Sequence, residues 1–168
     1  MTTTISYLTE YIPKSFSATS SQIADRQRVW DFKKGIYGED LMKAFVRVIN
    51  EMAGSNTIVC FIPASSQERT TQRFNKLCGY INSHSSASAS MSSVTRTGVS
   101  LPGHIYGKSG DPAASFVVDS SVAGKDVILI DDVITRGTTF YATARKLLAA
   151  GAKSVRGLFL AKTVHPAA

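Results

Sequence analysis

The sequence predicts a single α/β domain: a mostly parallel, twisted sheet flanked by helices. Three observations predict it. Three apolar runs, Thr57–Ile62, Val127–Ile130 and Val155–Ala161, read as strands buried on both faces, the habit of a parallel sheet. Helical patterns alternate with them at Glu39–Met52, around Phe74–Ile81 and at Phe140–Leu148. Strands and helices in alternation build a parallel sheet with helices on both faces.

The strand at Val127–Ile130 is followed by Asp131 and Asp132, where the strand is expected to end, then by Val133-Ile134-Thr135-Arg136-Gly137-Thr138-Thr139. A helix follows, with Phe140, Ala144, Leu147 and Leu148 on one face. The intervening loop lies at the carboxyl edge of the sheet, where open α/β folds place ligands. Gly137 lets the backbone approach a ligand in an unusual conformation. Thr135, Thr138 and Thr139 offer hydroxyls, and the first helical turn offers unpaired N–H groups. Together they suit a phosphate dianion, with each charge-assisted hydrogen bond contributing roughly 1.5–3 kcal/mol. The aspartates repel phosphate but accept hydrogen bonds from sugar hydroxyls. Phosphate donors beside hydroxyl acceptors describe a ribose 5-phosphate.

A second strand delivers a similar loop. Thr57–Ile62 ends in Pro63-Ala64-Ser65-Ser66-Gln67-Glu68-Arg69, and a helix follows with Phe74, Leu77, Cys78 and Ile81 on one face. Small side chains at Ala64, Ser65 and Ser66 expose backbone N–H groups, and the two serines add hydroxyls. Arg69 adds a fixed charge. This combination suits a diphosphate.

These stretches resemble the type I phosphoribosyltransferases. About thirteen contiguous positions, Val127 to Thr139, are similar to that family's signature for phosphoribosyl pyrophosphate (PRPP). The resemblance implies a Rossmann-like fold and transfer of phosphoribosyl from PRPP to a nitrogen nucleophile, with release of pyrophosphate. It implies that Asp131 and Asp132 bind the ribose hydroxyls, and that Thr135, Arg136, Gly137, Thr138 and Thr139 hold the 5-phosphate. Ala64, Ser65, Ser66, Gln67 and Arg69 would hold the pyrophosphate. Mg²⁺ is the implied cofactor, carried by PRPP, with Asp131 or Asp132 reaching it through water. The family's 6-oxopurine enzymes carry an aspartate where this chain has Thr135, so a different acceptor is expected. Within the family, residues 26–165 resemble the ComF-like branch. The echoes are Ile62-Pro63, Arg73-Phe74-Asn75, Gly151-Ala152-Lys153-Ser154-Val155 and Leu160-Ala161-Lys162-Thr163. That branch's N-terminal Cys-x-x-Cys zinc module is absent. The family also contains PRPP sensors that regulate or handle nucleic acid, and this is the alternative function. Homodimers are common in the family.

Composition bounds these expectations. At 168 residues the chain has length for one good core. With 43% hydrophobic residues and a mean hydropathy of +0.01 it reads as globular. No run of about 18 apolar residues spans a membrane, and residues 1–6 lack an apolar signal core, so a cytoplasmic protein is expected. Cys60 and Cys78 fall in a predicted strand and helix and read as free thiols of a reducing compartment. The net charge of +7 suits a small anion more than nucleic acid, because no Lys/Arg run exceeds two. No Gly-x-x-x-x-Gly-Lys-Ser/Thr occurs, which excludes a P-loop.

Residues 1–37 read as an N-terminal hood or extension, with residues 26–37 a partly buried strand or hood segment. Residues 38–168 form the core. Within that core lies an irregular connection at about 83–113, in which seven of the eleven residues Ser83–Ser93 are serine. Val94–Arg96 reads as a short strand inside it, and Ser115–Val118 as an edge strand. The family has a mobile loop here that closes over PRPP, and the resemblance makes Arg96, His104 and Lys108 the cations available to the leaving pyrophosphate. Arg96 is preferred, since a strand fixes its position.

Overall fold

The central strand β6 (Asp126–Ile134) is built from Val127, Ile128, Leu129 and Ile130, all buried between two neighbours. The computed structural model describes residues 3–97 and 110–165. In it β6 pairs in parallel with β2 (Thr57–Phe61) on one side and β7 (Ser154–Thr163) on the other. β1 (Ile5–Tyr11) adds to the outer edge of β7, and β3 (Ser88–Ala89) to that of β2. The resulting five-stranded parallel sheet has the order β1–β7–β6–β2–β3.

Both faces are covered. On one side α1 (Ser20–Lys33), α2 (Glu39–Met52) and α3 (Gln67–His84) supply Phe32, Phe45, Ile49, Phe74 and Leu77 against Val59, Ile128, Ile130 and Leu158. On the other, α4 (Thr138–Ala149) packs Phe140 and Leu147 against Leu129, Val155 and Phe159. The expected α/β architecture is therefore present. The helix expected over Glu39–Met52 is present as α2, buried at Met42, Phe45, Val46 and Ile49. Cys60 and Cys78 are free. Among the described residues no helix is long and apolar enough to cross a membrane.

Several expectations are corrected. β6 does not end at the aspartates but continues through them to Ile134. β7 is long enough to keep pairing, with Asp131 opposite Phe159 and Ile134 opposite Lys162. β2 stops earlier, its last partner being Ile130. The two aspartates thus stand on a ledge of β6, laddered on the β7 side only. Residues 26–33 are helical rather than a strand, within α1. Thr19 caps that helix: its hydroxyl accepts from the Gln22 N–H, and the Gln22 side chain accepts from the Thr19 N–H. The serine-rich connection is not wholly irregular, because it contains β3. The Asn82 side chain covers that strand's outer edge, donating to the Ala89 carbonyl and accepting from the Ala89 N–H. Phe116–Val118 (β5) is not an edge of the main sheet. It pairs antiparallel with Val94–Arg96 (β4) in a separate ribbon, anchored by buried Val94 and Phe116. His104, Lys108 and most of the glycine-rich stretch lie outside the described residues.

The segment set apart as residues 1–37 contributes β1 to the sheet and α1 to one face. Arg26, buried on α1, donates through Nη2 to the carbonyls of Pro13 (2.9 Å) and Phe16 (2.6 Å), and through Nε to that of Ile12. It holds the chain leaving β1 against the helix. Lys33, at the far end of α1, reaches the carboxyl end of β6.

Candidate functional site

The chain leaves β2 for α3 on one face and leaves β6 for α4 on the other. The gap between those two strands is the switch point of the sheet, where open α/β folds form a crevice. Both candidate loops open there.

After β6, Gly137 takes φ +82° and forms the N-terminal boundary of α4. A side chain is excluded twice. The left-handed backbone disfavours any L residue, and an added Cβ would lie 2.7 Å from Tyr141 Cε2. The first turn of α4 carries no acidic residue, so its unpaired N–H groups and positive dipole end are left for an anion. Asp131, Thr135, Arg136, Gly137, Thr138 and Thr139 border one cavity of about 320 Å³, floored by Ile62 and Phe159. Thr135 Oγ1 lies 2.7 Å from Thr163 Oγ1, so its hydroxyl also ties the loop to the end of β7.

The aspartates diverge. Successive residues of a strand point to opposite faces. Asp131, 16% exposed, borders the cavity beside α4. Asp132, 7% exposed, meets α1 and α3, where its carboxylate binds Lys33 Nζ and lies 3.3 Å from Arg73 Nη1. Arg73 also stands 3.9 Å from Asp131. Burial pushes the Asp131 carboxyl well above its ordinary range, and the charge of Asp132 adds to this. Burial acts on Asp132 in the same direction, but Lys33 and Arg73 outweigh it and hold that carboxyl below its ordinary range. Among the described residues no three His, Cys, Asp or Glu side chains cluster as a metal cage.

The loop after β2 is held internally. The Ala64 N–H donates to Thr70 Oγ1 at 2.8 Å, and that hydroxyl donates to the Ser66 carbonyl at 2.9 Å. Ser66 caps α3 by accepting from the Arg69 N–H, and Arg69 Nη1 donates to Ser65 Oγ at 3.4 Å. Ala64 is buried with its N–H engaged. The exposed donors are those of Ser65, Gln67 and Arg69. Arg96 comes from the ribbon to the same loop: Nε donates to the Ala64 carbonyl at 2.8 Å and Nη1 to Ser115 Oγ at 2.9 Å. Its guanidinium also lies over the Phe116 ring, 5.0 Å from the centroid.

The structure thus gathers Asp131 with the Thr135–Thr139 loop in one cavity and brings Arg96 to the loop after β2. Lys33 and Arg73 were given no role by sequence reasoning. Arg73 was visible only within the Arg73-Phe74-Asn75 echo, and Lys33 only as one base in a basic stretch.

No protein-family model matches the chain. No curated protein matches it either. Among solved structures it is similar to a hypoxanthine phosphoribosyltransferase from Staphylococcus aureus, with 15% identity and a TM-score of 0.47 over 83% of this chain and 68% of that one. It is similar to a hypoxanthine-guanine phosphoribosyltransferase from Bacillus anthracis, with 14% identity and a TM-score of 0.49 over 82% and 70%. A third likeness, to an allosteric regulatory enzyme of purine biosynthesis, has 20% identity and a TM-score of 0.46 over 77% of this chain and 25% of that one. Likenesses this weak do not extend to what those proteins act on. The fold itself is that of a doubly wound α/β protein with two small-residue loops opening on its switch-point crevice.

Proposed function

We propose that this protein is a phosphoribosyltransferase of the ComF-like kind, transferring phosphoribosyl from PRPP to a nitrogen nucleophile. The observation that carries the reading is the single cavity in which Asp131 faces the Gly137 loop and the first turn of α4. The 5-phosphate accepts from the loop and helix N–H groups and from the hydroxyls of Thr138 and Thr139. Asp131 accepts from the ribose hydroxyls and lies where positive charge develops on the sugar as the C1–oxygen bond to diphosphate breaks and the C1–nitrogen bond forms. Asp132 keeps this stretch of β6 in place through Lys33 and Arg73. The diphosphate is received by Ser65, Gln67 and Arg69, with Arg96 bracing their loop.

Mg²⁺ fits this arrangement, since one carboxylate facing the cavity supplements the ion's usual phosphate and water oxygens. Bound through Asp131 and PRPP, it would supply neutralisation of charge on the departing diphosphate.

A non-catalytic PRPP sensor is the competing reading. It is favoured by Arg96, which is engaged with Ala64 and Ser115. A screen of nucleobases and amines for PRPP-dependent pyrophosphate release, with and without Mg²⁺, separates the two. Release with any acceptor supports the transferase. PRPP binding without release from any acceptor supports the sensor.

A further inference from the structure

We propose that the cavity between the α1–α2 turn and the N-terminal half of α3 is a site for a condensed phosphate, diphosphate or longer, held by Lys33, Lys34, Arg69 and Arg73. Together with Gln72 these residues line about 470 Å³. That volume lies in the range of roughly 300–1,000 Å³ that holds whole small molecules rather than single ions. The lining is four cations and one amide. No aromatic ring offers a stacking face, so the cavity reads charge and acceptor oxygens rather than a base.

The backbone that carries these cations is fixed by packing. Gly35, at the turn between Lys34 and α2, has φ +78°, and an added Cβ would lie 2.2 Å from the Gln72 carbonyl oxygen. Backbone cannot yield there, so only glycine lets the turn lie against α3. Arg73 Nε donates to the Lys33 carbonyl at 3.4 Å. Tyr37 Oη donates to the Arg73 carbonyl at 2.6 Å, and burial pushes that hydroxyl up to about 12, which keeps its proton in place.

The charges are unbalanced. Asp132 compensates Lys33 and Arg73 from one side, while Lys34 and Arg69 have no carboxylate partner among the described residues. Like charges lining one cavity repel unless an anion joins them. Condensed phosphate supplies several charges and many acceptors within one short span, which a single carboxylate does not. Arg69 stands in the first turn of α3, directly after the loop that follows β2, so the site adjoins that loop and accepts either free polyphosphate or the diphosphate end of a larger ligand. The inference stands on this cavity and does not depend on the proposed transfer reaction.

Calorimetric titration of the full chain with pyrophosphate, tripolyphosphate, PRPP and ribose 5-phosphate tests it, using Lys34→Glu and Gln72→Glu. Both positions are exposed, and thermal melting confirms that each variant folds. Each should weaken pyrophosphate and tripolyphosphate binding by about tenfold or more while leaving ribose 5-phosphate binding unchanged. A parallel loss for PRPP assigns its diphosphate to this cavity, and unchanged PRPP affinity assigns the cavity to free polyphosphate. Absence of binding to the wild-type chain, affinities within about twofold of wild type in both variants, or displacement by equimolar sulfate would overturn the proposal. Failure of the wild-type chain to bind ribose 5-phosphate, with pyrophosphate still bound, would count against the phosphoribosyl reading and leave this one intact.

Discussion

Arg73 Nη1 stands 3.3 Å from Asp132 and 3.9 Å from Asp131, so one guanidinium of α3 addresses both carboxylates of β6. Lys33 joins only the Asp132 side. The asymmetry assigns different work to adjacent residues of the same type. Asp132→Asn leaves Lys33 and Arg73 facing an uncharged amide at a buried position. Lys33 is 44% exposed and keeps part of its hydration, so the loss should be about 1–3 kcal/mol, read from urea unfolding. Asp131→Asn should instead leave folding intact or strengthen it, and act on turnover. Equal destabilisation by both substitutions would contradict the division.

The two shifts act oppositely on stability as pH changes. Asp132 is depressed, so its contribution is full above the ordinary carboxylate pKa of about 3.9 and is lost as pH falls through its folded value. Asp131 is raised, so its folded form is favoured below that ordinary value, and the advantage is lost as pH rises through its folded pKa. At neutral pH Asp131 is therefore a cost to the fold. The gain in stability on Asp131→Asn should be largest near neutrality and shrink toward zero below pH of about 4. Unfolding midpoints of the variant and wild type across pH 3–8, a window of about five units around those values, check this.

This division was not legible in the sequence, and the reason is distance along the chain. Val127–Ile130 and Thr57–Phe61 announce themselves through local apolar runs, and Glu39–Met52 through its spacing. Lys33 and Arg73 reach Asp132 across long chain separations, and no local pattern marks such pairings. α1 was missed for another reason. Its buried positions are Val29, Phe32 and a charged residue, Arg26, so its inner face does not read as an apolar stripe. The Thr19–Gln22 capping box was the available signal. The strand end was misplaced because aspartate disfavours strands locally, whereas β7 supplies a ladder partner as far as Ile134.

Gly137→Val tests the loop after β6. A residue with a Cβ must occupy φ +82° and meet Tyr141 at 2.7 Å. Even if the Tyr141 ring turns aside, the positive φ strains the loop and misdirects its N–H groups. Ribose 5-phosphate and PRPP affinity should fall by tenfold or more, about 1.4 kcal/mol, with secondary structure unchanged by circular dichroism. Unaltered affinity by calorimetry would remove the loop from the site.

Thr135 bears on the acceptor. Its hydroxyl lies 2.7 Å from that of Thr163, and a threonine hydroxyl is a poor general base at neutral pH. Hypoxanthine and guanine should therefore support little pyrophosphate release, and Thr135→Asp should raise release with either by placing a carboxylate there. Strong turnover of either purine by the wild-type chain would sink this expectation.

Arg96 separates transfer from sensing. Its Nε bond to the Ala64 carbonyl and its Nη1 bond to Ser115 clamp the β4–β5 ribbon onto the loop after β2. Arg96→Ala releases that clamp and removes a cation from beside the diphosphate. If the protein transfers phosphoribosyl, turnover should fall by about tenfold or more, since the lost group assists the leaving diphosphate. Ribose 5-phosphate binding should be untouched, because that ligand carries no diphosphate. Arg96→Lys should rescue poorly, as an ammonium cannot reproduce the planar fork that spans Ala64 and Ser115. Deletion of residues 98–107 should lower turnover in the same way. If neither change alters pyrophosphate release because no acceptor supports any, while PRPP shifts the affinity of a macromolecular partner, the crevice is a sensor and Arg96 transmits its occupancy to the ribbon.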